Sequence, residues 1–310
     1  MNKRELKELW FREGAPLFRR ALEQIELADK LPSENDYYAC PSCLIALPFG
    51  AIAANALTLE HVPPESLGGK EMLLTCEPCN SKSGANFDSQ AKKRAATQDL
   101  LMGSYETGPM GATFTVGGTS VRGEVSRVGN SWLLQGVPKQ NNPAAIDALK
   151  DKLDTASERG EGPSISFALR DRFSPSRANV SYFRSAYFAA FAALGWRYIL
   201  RPALAPIREQ FQNFDEQTFP KLIGDDPNSD DNTRKIMVVE SPEDLCSVVV
   251  VIGRYSVFLP DPWGTLTCDQ LEESITRLRD ENGWIRGLDL RGQSAPWPRK
   301  PMYLLDKAIK

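Results

Sequence analysis

The sequence predicts an α+β protein, and three observations indicate that fold class. Apolar residues recur at helical spacing in 1–30 and again in 181–200. β-Branched and polar residues alternate in 112–138, which predicts a small antiparallel meander. Two Cys-x2-Cys pairs lie between these regions and predict a metal site that ties two short strands to a helix.

The composition is that of an ordinary globular protein. The chain has 310 residues, of which 42% are hydrophobic and 25% are charged, and its formal net charge is −3. This balance excludes collagen, a coiled-coil rod, a wholly disordered chain and a basic nucleic-acid coat. The sequence predicts no targeting signal and no membrane partner, so we expect a cytoplasmic protein with reduced cysteines.

The chain divides into four predicted segments. Residues 1–36 are expected to be helical, with Gly14–Pro16 separating two helices. A zinc-bound domain is predicted at 37–95, a connector at 96–111 and a separate α+β domain at 112–310. The last segment has no motif with a chemistry of its own, and we expect it to receive a regulatory protein or ligand.

Periodicity predicts further elements within the last segment. The expected elements are helices at 143–157, 181–200 and 269–280 and strands at 165–169, 246–253 and 255–260. The central helix has an aromatic stripe, for which core packing is favoured over the stacking of nucleic-acid bases. Its members are Tyr182, Phe183, Tyr187, Phe188 and Phe191.

Four cysteines have the spacing of a zinc site. Cys40 and Cys43 form one pair, and Cys76 and Cys79 form the other. Two intervening residues let a tight turn point both sulfurs at one ion, and two such turns complete a tetrahedral four-thiolate site. Zinc suits this ligand set best, and an iron–sulfur cluster is the alternative. The second pair argues against a redox motif, which needs only one pair.

A further motif lies between and directly after the cysteine pairs. It consists of Glu60-His61-Val-Pro-Pro, then Gly-Gly-Lys, and then Asn80-Ser-Lys-Ser-Gly after the last cysteine. Together with the cysteines, this order resembles an HNH endonuclease of the ββα-metal type that carries a four-cysteine zinc. The resemblance covers about residues 38–94, where the residues predict strand, turn, strand and helix in that order.

The resemblance implies a role for each matching residue. His61 corresponds to the general base that deprotonates the attacking water. Glu60 and Asn80 correspond to ligands of a catalytic Mg2+ or Mn2+, and the four cysteines correspond to structural zinc ligands. A helix N-cap is the alternative role for Asn80. The family's middle asparagine, which orients the histidine loop, would fall near Glu71.

These residue types suit phosphodiester hydrolysis on chemical grounds as well. A histidine with an ordinary pKa of about 6.5 is largely neutral at pH 7 and accepts a proton. Carboxylate and amide oxygens are hard ligands for Mg2+. Because adjacent residues of a regular strand point to opposite faces, Glu60 and His61 need a bend or bulge to serve one site. We therefore predict one at 60–63.

DNA is the expected partner. The basic residues after the motif predict a surface for phosphate contacts, with a solvated helix face as the alternative. They are Lys82, Lys92, Lys93 and Arg94. The resemblance implies DNA hydrolysis that leaves 5′-phosphate and 3′-hydroxyl ends, and it is associated with restriction or anti-phage defence. An RNA-directed nuclease and a non-catalytic zinc module that binds nucleic acid or protein are the alternatives.

Overall fold

The computed structural model describes residues 2–27, 32, 36–102, 108–160, 162–214, 221–226, 229–230, 232–281, 285 and 288–308. The helices of this part are α1 (Lys3–Glu23), α2 (Glu77–Ser83), α3 (Ser89–Met102), α4 (Pro143–Glu158), α5 (Pro175–Leu194), α6 (Trp196–Ile199), α7 (Ala205–Gln212), α8 (Cys268–Arg277) and α9 (Leu304–Lys307). Its strands are β1 (Tyr37–Ala39), β2 (Ala46–Pro48), β3 (Leu57–Val62), β4 (Lys70–Cys76), β5 (Met110–Val116), β6 (Thr119–Val128), β7 (Ser131–Gly136), β8 (Ile165–Leu169), β9 (Ile223–Asp225), β10 (Arg234–Ser241), β11 (Ser247–Ile252), β12 (Tyr255–Pro260) and β13 (Arg291–Ala295).

Helices and antiparallel strand pairs make up these elements, which confirms the predicted α+β class. A π-helical turn, Gly84–Asp88, joins α2 to α3. Among the described residues, no helix has both the length and the apolar character that a membrane crossing requires.

The amino-terminal helix corrects one prediction. Two helices separated at Gly14–Pro16 were expected, but α1 is continuous and contains Pro16. A Cβ on Gly14 would lie 2.5 Å from Tyr303 Oη and 2.7 Å from Tyr38 Cε2. The Gly14 carbonyl also accepts a 3.0 Å hydrogen bond from Trp196 Nε1. The glycine therefore permits close packing, and burial of this face outweighs the hydrogen bond that proline removes.

Contacts group the chain into two units, one formed by 1–89 and 176–310 and the other by 90–175. The two stretches of the first unit meet directly, because Tyr187 Oη on α5 donates a 3.0 Å hydrogen bond to the Pro41 carbonyl. The domain boundaries predicted after residues 36, 95 and 111 stay predictions.

The first unit contains three sheets in its described part. Strands β1 and β2 form one hairpin, β3 and β4 form a second, and the third sheet has the order β13-β10-β11-β12-β9. The predicted hairpin of β11 and β12 and the predicted helix α8 are confirmed. Strand, turn, strand and helix follow one another from β3 to α2, as predicted.

Helix α5 lies at the centre of the first unit. It begins earlier than predicted and ends at Leu194, where Gly195 has a φ of 103° and separates α5 from α6. All five residues of its aromatic stripe are at most 5% exposed. Core packing is therefore confirmed for this stripe, and base stacking by these rings is excluded.

The second unit is a four-stranded antiparallel sheet of order β7-β6-β5-β8 in its described part, with α4 packed on it. The predicted meander, the helix α4 and the strand β8 are confirmed. Its buried core consists of Leu100, Ala112, Phe114, Val121 and Val125.

Candidate metal centre and active site

The four predicted zinc ligands come together in the first unit. The Sγ atoms of Cys40, Cys43, Cys76 and Cys79 all lie within 4.8 Å of one another. The Cys43 and Cys76 sulfurs are 3.7 Å apart. A tetrahedron with Zn–S bonds of about 2.3 Å has sulfur separations of about 3.8 Å. The cluster therefore has the spacing of a closed zinc site.

A tight turn brings the first cysteine pair into this cluster. The Leu44 amide donates a 2.7 Å hydrogen bond to the Cys40 carbonyl, and the Cys40 amide donates a 2.9 Å bond to the Ile45 carbonyl. Leu44 has a φ of 60°, which closes the turn in the left-handed region. The Pro41 carbonyl, held by α5, fixes this turn to the core of the unit.

Burial and thiol contacts give the cysteines different proton affinities. Burial raises the pKa of the Cys40 thiol well above its ordinary value. Hydrogen bonds from Cys40, Cys43 and Cys76 lower the pKa of Cys79. A buried cluster of this kind needs a cation to hold four thiolates together, which is the environment that zinc supplies.

Gln212, at the end of α7, supports the cluster from outside. Its Nε2 donates to Cys79 Sγ at 3.5 Å and to Ser42 Oγ at 3.2 Å. An amide N–H directed at a ligand sulfur stabilises the thiolate and orients the ligand. Sequence reasoning missed Gln212 because it lies 133 positions from Cys79.

A bulge in the β3–β4 hairpin lies at the acid–histidine dipeptide. Glu60 pairs with Leu73, but His61 pairs with Glu71, so Met72 is the extra residue on β4. The bend or bulge predicted at 60–63 is therefore confirmed. The extra residue lies on β4, directly across from the acid–histidine dipeptide of β3.

The Gly-Gly pair of the motif closes the loop after His61. A Cβ on Gly69 would lie 1.5 Å from the Pro63 carbonyl oxygen, so only glycine fits. Gly68 has a φ of 75°, which also favours glycine. The chain thus returns sharply to β4 after the two prolines.

Glu60 is buried and fully engaged in an ion pair. Its side chain is 4% exposed. Arg184 Nη1 donates to Oε1 at 3.0 Å and Nη2 donates to Oε2 at 2.8 Å. Thr75 Oγ1 donates a third hydrogen bond, to Oε2, at 3.0 Å. Sequence reasoning did not assign Arg184 to the site, although a charge inside an apolar helix was the available signal.

Asn80 contacts the same hairpin from α2. Its Nδ2 donates to Thr58 Oγ1 at 2.9 Å and to the Leu59 carbonyl at 3.1 Å. The N-cap of α2 is Cys76, and Asn80 lies inside the helix. The alternative role of Asn80 as an N-cap is therefore wrong.

Two threonines relate Asn80 to Glu60. Thr58 and Thr75 are directly opposite each other on β3 and β4, so their side chains share one face. Thr58 accepts the hydrogen bond from Asn80, and Thr75 donates one to Glu60. The amide and the carboxylate thus each form a hydrogen bond with a threonine on the same face of the hairpin.

His61 is partly exposed and lies across the strand pair from Glu71. Glu71 forms a 2.9 Å ion pair with Lys3 Nζ. Glu71, near which the family's middle asparagine would fall, therefore places a carboxylate next to the strand that contains His61. Whether it takes over the orienting role of that asparagine stays a hypothesis.

Asp88, in the π-helical turn, is the second carboxylate near Arg184. Its Oδ2 is 3.8 Å from Arg184 Nη1, and its Oδ1 accepts a 2.6 Å hydrogen bond from Ser181 Oγ. Burial raises the pKa of Asp88 to about 6, and the positive charge of Arg184 opposes this shift. Arg184 therefore faces two carboxylates, of which Glu60 is the closer.

This geometry agrees with a comparison to known proteins. Residues 50–96 match the HNH endonuclease family. The matched HNH segment contains Glu60, His61 and Asn80 as well as the second cysteine pair, which confirms the predicted resemblance. An HNH endonuclease domain indicates nuclease activity on nucleic acid. No curated protein and no solved structure matches the chain.

The predicted basic residues belong to different units. Lys82, on α2 of the HNH segment, is exposed and lies in the first unit. Lys92, Lys93 and Arg94 lie on α3 in the second unit, where Lys92 is exposed and the other two are partly exposed. A nucleic-acid surface formed by the four residues stays a prediction.

Proposed function

We propose that the protein is a metal-dependent HNH endonuclease that hydrolyses DNA phosphodiester bonds. Glu60 and Asn80 would hold a catalytic Mg2+ or Mn2+, and His61 would act as general base. The observation that carries this proposal is the polar face that connects Asn80 to Glu60 through Thr58 and Thr75. Carboxylate and amide oxygens are hard ligands that suit such a cation.

Each part of the proposed site has its own role in hydrolysis. A bound divalent cation would neutralise the negative charge that develops on the phosphate. His61, on the solvent-accessible part of the bulge, would take the proton from the attacking water. The Asn80 Nδ2 is engaged by β3, which leaves Oδ1 as the ligand atom.

The structural zinc would position Asn80 rather than take part in the reaction. Asn80 directly follows Cys79, so the cysteine cluster fixes the start of α2 and with it the amide. Zn2+ at this place and Mg2+ or Mn2+ at Glu60 and Asn80 are separate parts of the proposal.

Substrate and setting complete the proposal. DNA is the proposed substrate, and RNA is the alternative that a direct comparison separates. A role in restriction or anti-phage defence, a cytoplasmic location and control through a protein or ligand bound by the carboxyl-terminal part belong to the same proposal.

A non-catalytic zinc module is the second candidate. The observation in its favour is the engagement of Glu60, whose two oxygens already accept hydrogen bonds from Arg184 and Thr75. In that case the zinc-stabilised fold would bind nucleic acid or protein without turnover.

A cleavage assay separates these functions. Zinc-loaded wild type, His61→Ala and the control Glu65→Ala are incubated with plasmid, single-stranded DNA and RNA in Mg2+, Mn2+ or EDTA. Glu65 is exposed in the loop between the two strands of the hairpin, which makes it a matched surface control. Zinc content is measured after each incubation, so that loss of zinc is not mistaken for loss of the catalytic cation.

The proposal expects metal-dependent cutting of DNA by wild type and Glu65→Ala. Loss of the general base is expected to slow His61→Ala by about 100-fold or more. Cutting of RNA alone would assign the RNA-directed alternative. Failure of the wild type to cut any substrate would favour the non-catalytic module, and equal cutting by His61→Ala would overturn the role of His61.

A further inference from the structure

Arg184 forms an ion pair with Glu60, the carboxylate that we propose as a ligand of the catalytic cation. Both Glu60 oxygens accept from its guanidinium, and the two side chains are only 3% and 4% exposed. A divalent cation bound to Glu60 would lie beside this positive charge, and like charges repel strongly in a buried environment. Cation binding at Glu60 therefore requires the guanidinium to move.

Asp88 offers the guanidinium a second acceptor nearby. Arg184 Nη1 is already 3.8 Å from Asp88 Oδ2. A shift of about 1 Å would turn this contact into a hydrogen bond. Ser181, one turn before Arg184 on α5, holds the Asp88 carboxylate in place through a 2.6 Å hydrogen bond.

Three further features suit such a movement. The Arg184 guanidinium lies 4.5 Å from the centre of the Phe188 ring, a planar surface that holds the charge without fixing its hydrogen bonds. The buried Arg184 Nε has no hydrogen-bond acceptor among the described residues, so pairing with Glu60 leaves one donor unused. Asp88 ends a π-helical turn, a conformation that often occurs at functional sites.

We propose that Arg184 is a positioning residue that holds the Glu60 carboxylate until a divalent cation takes it, and then transfers to Asp88. This inference rests on the proposed function, because it assumes that Glu60 is a ligand of the catalytic cation. The transfer keeps the guanidinium paired in both arrangements, and an unpaired buried charge would be strongly unfavourable.

Direct measurement of Mn2+ binding tests the transfer. The full-length, zinc-loaded protein is titrated with Mn2+ and the free ion is followed by electron paramagnetic resonance. Arg184→Met removes the competing charge and is expected to tighten Mn2+ binding by about tenfold or more. Asp88→Asn removes the second acceptor and is expected to weaken binding by a similar factor. These opposite signs distinguish a transfer from a general loss of structure.

Two variants show that the measured ion is bound at Glu60. The first is Glu60→Gln, and the second combines Glu60→Gln with Arg184→Met. Both are expected to lose the Mn2+ site, because neither has a carboxylate at position 60.

If Arg184→Met does not fold, Asp88→Asn and Arg184→Lys provide the test, because both keep a positive charge at position 184. The lysine variant lacks the two-pronged contact and is expected to bind Mn2+ more tightly than wild type.

The outcomes separate this inference from the proposed function. Unchanged Mn2+ affinity in Asp88→Asn together with either Arg184 variant would overturn the transfer, even if His61-dependent cleavage is found. The expected affinity shifts without any cleavage would support the transfer and count against the nuclease.

Discussion

Arg184 and Glu60 lie 124 positions apart in the chain and meet as a buried two-pronged ion pair with N···O distances of 3.0 and 2.8 Å. The hairpin of the HNH segment is therefore completed by a helix that follows the second unit in sequence. Because the match to the HNH family ends at residue 96, the partner of Glu60 lies outside the matched segment.

Removal of one partner of this pair is expected to destabilise the first unit. Arg184→Met leaves Glu60 buried without its counter-charge, which costs about 3–5 kcal/mol of unfolding free energy. Adding Glu60→Gln to the same chain removes the unpaired charge and is expected to restore most of that loss. Urea unfolding of zinc-loaded wild type, the single variant and the double variant measures this recovery. Equal destabilisation of the single and double variants would contradict it.

Zinc is expected to be a structural requirement. The purified chain should contain about one zinc ion bound by four thiolates, and a strong chelator should unfold the region around α2. Cys79→Ser is expected to lose the metal and the cooperative unfolding of the first unit. Cys246→Ser is the matched control, because Cys246 lies outside the cluster and is partly exposed. Elemental analysis with circular dichroism makes the comparison, and a metal-free but equally stable Cys79→Ser would refute the expectation.

Gln212 is expected to tune zinc affinity without setting the fold. Its amide contacts Cys79 Sγ and Ser42 Oγ. Gln212→Ala should weaken zinc binding by about tenfold, the lower end of the effect of such outer contacts. Competition with a chromophoric chelator measures the change, and Glu209→Ala on the exposed face of the same helix is the control. Identical zinc affinity in the two variants would assign Gln212 no role at the centre.

The zinc ligands and the acid–histidine motif could be predicted because their chemistry requires a short, fixed spacing. Two residues between cysteines define a metal turn, and a strand dipeptide that must serve one site requires a bulge, which occurs at Glu60 and His61. The order of strand, turn, strand and helix from β3 to α2 could be predicted in the same way, from residues close together in the sequence. These are features in which neighbours in sequence are also neighbours in space.

The remaining features depend on partners far away in the chain. Arg184 could be recognised as a charge in an apolar helix, but its sequence neighbours do not reveal Glu60. A local rule predicts a helix break at Pro16, whereas packing of Gly14 against Tyr38 and Tyr303 keeps the helix continuous. Tertiary contacts override local propensity at such places.

Replacing Gly14 by alanine is expected to destabilise the protein, although alanine has the higher helix propensity. In an exposed helix, glycine to alanine stabilises by up to about 1 kcal/mol. Here the added Cβ would lie 2.5 Å from Tyr303 Oη and 2.7 Å from Tyr38 Cε2, so Gly14→Ala should destabilise by about 1–3 kcal/mol. Gly84→Ala is the matched control, because nothing lies within 4 Å of its Cβ. Thermal unfolding compares the two, and an equal or higher melting temperature for Gly14→Ala would contradict the packing argument.

Asp306 is expected to make stability depend on pH. Its carboxylate accepts hydrogen bonds from the Trp196 amide at 2.7 Å and the Arg197 amide at 2.9 Å, yet burial raises its pKa from 3.8 to about 6. A carboxyl with a raised pKa in the folded state binds its proton more tightly there than in the unfolded chain. Its contribution to stability is therefore complete below about pH 4 and is lost as the pH rises through about 6.

Asp306→Asn isolates this dependence. The amide has one acceptor oxygen for two backbone donors, so the variant is expected to be less stable by a constant amount, whereas the pH-dependent contribution disappears. The unfolding free energy of wild type relative to the variant should then fall by about 2–3 kcal/mol between pH 4 and pH 7. Urea unfolding at intermediate pH values measures the difference, and Asp289→Asn controls for loss of an exposed carboxylate. A difference that stays constant across this range would show that the pKa of Asp306 is the same in the folded and unfolded chains, and its two amide contacts would then offset the effect of burial.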